Sequence, residues 1–148
     1  MVDRFERFSL AVSVIFRCWH KIASDEMKKY GLKGPHATYL TTMYQYPDGL
    51  NATQLCDLCG KDKADVSRMM SIMEIKGLVK KEGVNYRAVL TLTENGRAVA
   101  EHVRERVMVA VEAAGKGLSE EQRTIFYDAL SLIAFNLQKI SREGLPQA

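Results

Sequence analysis

Long apolar runs are absent from this sequence. In the opening MVDRFERFSLAVSVIF the longest uncharged stretch is 8–16, well short of the ~20 residues that span a bilayer. A basic n-region and a small-residue cleavage site are also missing there, so neither export nor membrane insertion is expected, and a cytoplasmic protein is. Cysteine is scarce, with Cys18, Cys56 and Cys59 alone. In an unexported chain this implies a reducing compartment and mostly buried thiols rather than a disulfide framework. Zinc needs four ligands. Cys56-x-x-Cys59 has no second such pair and no HxxxH at finger spacing, and His20, His36 and His102 are scattered, so no metal or cofactor is expected. A thiol enzyme built on that pair would need a strand before it, a helix after it and a base nearby. None is evident, and the chain is not expected to be an enzyme. Neither Gly nor Pro is in excess, and the composition is 47% hydrophobic and 26% charged. That is core-forming and excludes a disordered chain. At 148 residues it reads as one domain, with helices to spare for an oligomer interface.

No charge sign dominates. The formal net charge is only +3, which by itself identifies no partner. The excess is local: residues 61–87 hold seven Lys or Arg against four acids, and the remaining charges balance.

Around that segment the sequence reads as helices. Phe5, Phe8, Val12, Ile15, Trp19 and Ile22 recur at helical spacing within 3–29, with Arg4, Arg7, Arg17 and Lys21 off the stripe. Tyr30-Gly31 ends that helix, Pro35 suits the start of the next at 35–45, and Pro47-Asp48-Gly49 is a turn. Asn51 with Gln54 forms a capping-box pair for a third helix, and Cys59-Gly60-Lys61 is a turn. Asp62 caps a fourth, with Asp65 in its first turn and Val66, Met69, Met70 and Met73 on its apolar face, ending at Gly77. Residues 78–81 and 88–92 are strand-like around Gly83-Val84-Asn85-Tyr86, a hairpin signal. Thr93 caps a helix over 94–115 with Val99, Val103, Val107 and Ala110 on one face. Ser119 and Gln122 box the start of another over 120–141 with Phe126, Leu130, Ile133, Leu137 and Ile140 on its seam.

The first and last helices carry near-heptad seams suited to helix-on-helix packing. A compact lobe of short helices and a hairpin needs only the middle of the chain. The surplus helices therefore predict a twofold homodimer, the alternative being that they pack on each other within one monomer.

Two helices about a glycine turn followed by a basic hairpin form the order of a winged helix-turn-helix. In such a unit the second helix enters a major groove with its N-terminal residues nearest the bases. Here that face offers Lys63, Ala64, Ser67 and Arg68, with Lys61 in the turn. Arg68 suits a bidentate contact to guanine, Ser67 a base or a phosphate, and Lys61 and Lys63 suit phosphates. Asp65, awkward beside DNA, is read as belonging to the helix cap. The hairpin adds Lys80, Lys81, Asn85, Tyr86 and Arg87. Arg87 could enter a minor groove or hold a phosphate, with Asn85 as its buttress. Cys56 and Cys59 coincide with buried positions of this motif and read as small core residues.

With Gly31-Leu32, TQLCDLCGKDKADVSRMMSIMEIKGLVKK and RAVLTLTENGRAVA, the chain resembles the MarR family of bacterial transcription regulators. The family's valine-serine-arginine is matched by Val66-Ser67-Arg68, its glycine-leucine-valine by Gly77-Leu78-Val79, and its leucine-threonine-x-x-glycine by Leu92 to Gly96. The Asp-x-Arg of its wing corresponds to Asn85-Tyr86-Arg87. The resemblance implies a mainly α fold with a small β-hairpin wing, one domain over 1–148. The winged helix-turn-helix lobe would cover about 35–93 and dimerisation helices about 3–30 and 94–141. It further implies a homodimer on a pseudo-palindromic double-stranded DNA operator, usually a repressor, released by a small-molecule or redox effector. By position Arg17, Cys18, Trp19, His36 and Tyr39 would line an effector site, the alternative being core or surface packing; Cys18 is either a sensing thiol or a residue packed at the dimer interface. The wing is about two residues shorter than usual, and Asn85 replaces the usual charged Asp. A winged-helix protein–protein module with little DNA binding is the alternative reading.

Overall fold

The computed structural model describes residues 2–147, apart from the side chains of Val2 and Tyr86. Six helices and a two-stranded sheet follow the expected order. They are α1 (Val2–Lys28), α2 (His36–Tyr44), α3 (Ala52–Cys59), α4 (Lys63–Ile75), β1 (Val79–Glu82), β2 (Val89–Leu92), α5 (Glu94–Ala114) and α6 (Glu120–Glu143), with a 3-10 turn at Asn85–Arg87 between the strands. The described chain divides into two compact units, 1–107 and 108–148, with α5 running across the division.

The helix starts are built as their sequences specify. Asn51 Oδ1 accepts from the Gln54 amide and Gln54 Oε1 from the Asn51 amide, both at 2.9 Å. Ser119 and Gln122 exchange the same pair at 3.2 and 2.9 Å. Each box satisfies donors that a helix start would leave unpaired, typically ~1 kcal/mol per cap. Pro35 stands just before α2 as its N-cap, without a side-chain bond.

The core lies in the first unit. Tyr39, Leu40 and Met43 of α2, Leu55 of α3, and Val66, Met69, Met70 and Met73 of α4 meet Leu78, Val79 and Leu90 of the wing and Ala100 and Val103 of α5. Fully burying one such side chain is worth roughly 1.5–3 kcal/mol. The strands pair antiparallel from Val79↔Leu92 to Glu82↔Val89. Leu50 adds a contact that the sequence did not suggest. Its amide and carbonyl bond those of Leu90 at 3.0 and 2.8 Å, tying the turn before α3 to the wing.

The start of α5 is clamped to the end of α4. The Thr93 hydroxyl donates to the Gly77 carbonyl at 2.6 Å and accepts from the Gly96 amide at 3.0 Å, while the Thr93 amide donates to Leu78 O at 3.0 Å. Gly96 sits against that joint, where a Cβ would lie 1.9 Å from Leu78 O. Farther along, the Arg97 and Arg104 guanidiniums lie 4.8 and 4.5 Å from the centre of the Tyr44 ring, and Arg106 Nε is 3.3 Å from Glu26 Oε1.

The terminal helices carry their seams outward. Phe5, Phe8, Val12, Ile15, Trp19 and Ile22 of α1 are exposed, as are Phe126, Leu130, Ile133 and Leu137 of α6. Gly96→Ala has no room for its methyl and should destabilise the first unit by roughly 1–3 kcal/mol. Urea unfolding followed by circular dichroism would check it, an unchanged midpoint being the contrary result.

Candidate nucleic-acid interface

Residues 51–75 form a helix–turn–helix. Leu55 is fully buried on α3. Gly60 then takes the left-handed conformation at φ +63°, which costs glycine little, and its amide closes on Cys56 O. Asp62 caps α4 by accepting from the Asp65 amide at 2.7 Å. With Val66, Met69, Met70 and Met73 buried, the opposite face of α4 is Lys63, Ala64, Ser67 and Arg68, all exposed, and Lys61 is exposed in the turn. Ser71 continues that face. The sequence reading does not include it, although its spacing of four from Ser67 marks the shared face.

Asp65 corrects the sequence reading. It adds no side-chain bond to the cap, which Asp62 supplies alone. Its Oδ2 instead accepts from the hydroxyl of the fully buried Tyr39 at 2.6 Å, and its Oδ1 lies 3.7 Å from Arg68 Nη2. Burial, then this bond, pushes the Tyr39 phenol far above its ordinary value, so the hydroxyl remains a donor.

The wing is short, with four residues in each strand. Lys80 and Lys81 are exposed on β1, and Lys80 Nζ lies 3.6 Å from Glu82 Oε1. Asn85 has φ +59°, a left-handed conformation that Asn tolerates better than most residues. It opens the 3-10 turn that Arg87 closes, both exposed. The side chain of Tyr86, expected among the wing contacts, lies outside the described residues. Among the described residues no carboxylate pairs with Lys61, Lys63 or Lys81.

Cys56 and Cys59 pack against the core but are half-buried, less enclosed than expected. The Cys59 thiol donates to Thr42 Oγ1 at 3.7 Å, and burial raises its pKa, which favours an inert thiol. Among the described residues no group of three His, Cys, Asp or Glu could hold a metal ion, and no helix is long and apolar enough to cross a membrane.

The expected effector residues occupy two environments. Arg17, Cys18 and Trp19 are exposed on α1, whereas His36 and Tyr39 are fully buried on α2. His36 Nδ1 lies 3.1 Å from Lys33 N, and its Nε2 has no hydrogen-bond partner among the described residues. Burial lowers the imidazole pKa, an effect partly offset by the Lys33 carbonyl, which lies 3.2 Å from Nδ1. Above the ordinary value of about 6.5 both folded and unfolded chains carry it neutral. Below that, the unfolded chain binds the proton first, so stability falls until the lower folded pKa is passed. The urea midpoint should therefore drop between about pH 7 and 5, with a smaller drop in His36→Gln; equal drops would remove His36 as the cause.

No protein-family model and no curated protein matches the sequence. Solved structures do. A MarR family transcriptional regulator from Listeria monocytogenes complexed with 26mer DNA superposes at TM-score 0.81 with 23% identity, covering 93% of this chain and 95% of that one. A MarR transcriptional regulator from Methanosarcina mazei Go1 gives 0.80 and 21%, covering 91% and 92%. A MarR protein from Peptoclostridium difficile gives 0.81 and 21%, covering 89% and 88%. The chain has the winged helix-turn-helix fold of the MarR family.

Proposed function

We propose that the protein is a homodimeric, sequence-specific DNA-binding transcription regulator of the cytoplasm, acting as a repressor that an effector releases. The observation that carries the DNA-binding part is the outer face of α4. A capped helix, seated by four apolar residues, presents Lys63, Ala64, Ser67 and Arg68 to solvent beside a wing bearing Lys80, Lys81 and Arg87. The same fold is found in a regulator complexed with DNA. Arg68 reads a base. Lys61, Lys63, Lys80 and Lys81 hold phosphates, positioning the helix without specifying sequence, and Arg87 with Asn85 serves the wing contact. Asp65, the residue least suited to DNA, is held through one oxygen by the Tyr39 hydroxyl and lies beside Arg68.

The exposed seams of α1 and α6 support the dimer, because large contiguous apolar faces are rarely left to solvent. A twofold dimer would cover both and pair two recognition helices on a pseudo-palindromic operator. Release requires an effector that prefers the conformer fitting DNA poorly, a population shift between two states. Of the residues expected at its site, Arg17, Cys18 and Trp19 are exposed on α1 and remain proposed for it, whereas His36 and Tyr39 are fully buried.

Selection from a random duplex pool tests this reading directly. A palindrome with half-sites about one helical turn apart is expected. No enrichment, with binding insensitive to salt, would favour a protein-binding module instead. On the selected site Arg68→Ala should cost ~1–3 kcal/mol and relax preference at one base pair per half-site. Equal loss on operator and random DNA would refute base reading. Arg87→Ala should weaken both and flatten the salt dependence by roughly 0.9 in log–log slope. Sedimentation equilibrium should return twice the 16.7 kDa chain mass. Leu130→Glu, which puts a charge on the α6 seam, should shift the mass toward the monomer, and a wild-type monomer at micromolar concentration would exclude the dimer.

A further inference from the structure

Three side chains make a continuous chain from the core to the outer face of α4. Tyr39 is fully buried on α2, while the Asp65 and Arg68 side chains are 24% and 70% exposed. The two oxygens of Asp65 are divided: Oδ2 takes the Tyr39 hydroxyl at 2.6 Å, and Oδ1 faces Arg68 Nη2 at 3.7 Å. An exposed pair three residues apart on a helix is by itself weak. Here one member is tethered. With Oδ2 fixed by a rigid, buried phenol, the carboxylate cannot turn freely, and its second oxygen stays beside the guanidinium. Arg68 engages it through one terminal nitrogen, and the planar fork retains donors for another acceptor.

We propose that Tyr39 and Asp65 are positioning residues that set the base preference of Arg68 without contacting DNA, the buried hydroxyl orienting the carboxylate and the carboxylate orienting the guanidinium. The inference rests on the reading of Arg68 as a base-reading residue. A pre-oriented arginine loses less rotamer freedom on binding, which sharpens discrimination between its preferred base and the others. The arrangement also has an opposing effect. A carboxylate on the DNA-facing helix repels phosphates, so Asp65 lowers affinity for every sequence while raising selectivity at one position. A residue acting only in the fold would not move these two quantities in opposite directions.

The test measures dissociation constants at fixed salt for the selected duplex, for duplexes with one base pair exchanged at a time, and for random DNA. The proteins are the wild type, Arg68→Ala, Tyr39→Phe, Asp65→Asn and the Tyr39→Phe/Arg68→Ala double variant. Arg68→Ala identifies the position that it reads. At that position Tyr39→Phe should reduce discrimination by about 3- to 10-fold, the range expected for one lost hydrogen bond, with random-DNA affinity and other positions within about twofold. The double variant should discriminate no worse than Arg68→Ala alone. Asp65→Asn leaves the helix cap intact and keeps an acceptor for Tyr39. It should bind random DNA more tightly and discriminate less, giving an answer even if Tyr39→Phe proves unstable. Discrimination retained in Asp65→Asn, or lost equally at all positions in both variants, would overturn the proposal while Arg68 remained a base reader. Arg68→Ala without effect on any position would overturn both.

Discussion

Everything proposed for this protein depends on how α4 is seated. Val66, Met69, Met70 and Met73 lock one side of the helix into the core of the first unit. That fixes which residues remain outside, and no choice of surface side chains could substitute for it. Two polar contacts set the rotation and start of the helix: Asp62 closes its N-terminus, and the Tyr39–Asp65 bond ties its first turn to α2. The joint at Thr93 then binds its far end to the beginning of α5. A helix held at both ends can present a side chain in a repeatable place, which is what the proposed base reading requires.

Local signals in the sequence were legible because the physics behind them is local. Asn51 and Gln54, or Ser119 and Gln122, lie within one turn of each other, and their reciprocal bonds follow from spacing alone. Helix periodicity likewise placed Val66, Met69, Met70 and Met73 inside. Contacts that cross the chain were not legible. Tyr39 and Asp65 are 26 positions apart, so spacing alone gives Asp65 the nearest local role, the cap, and puts Tyr39 with His36 and residues of α1 by position only. The Leu50–Leu90 bridge is equally long-range. Gly96 was visible as part of a family motif, but the reason for it, a carbonyl where a side chain would begin, exists only in the folded chain.

Charge shows a similar division. Composition located a basic segment, and the structure shows that its charges are not equivalent. Lys80 and Arg68 each lie near a carboxylate, whereas Lys61, Lys63 and Lys81 do not among the described residues. The free ammonium groups suit diffuse attraction to a polyanion, and the tethered guanidinium suits a directed contact.

The inner face of α4 also has a particular texture. Three of the four residues that seat it are methionines, and Met27 and Met43 lie in the same core. Unbranched thioethers have several rotamers of similar energy and fill changed gaps more readily than valine or isoleucine would. The cushion beneath the helix is therefore compliant while its ends are pinned. Such a mount absorbs small changes in packing without opening a void behind the helix, while its pinned ends hold the outer face in place.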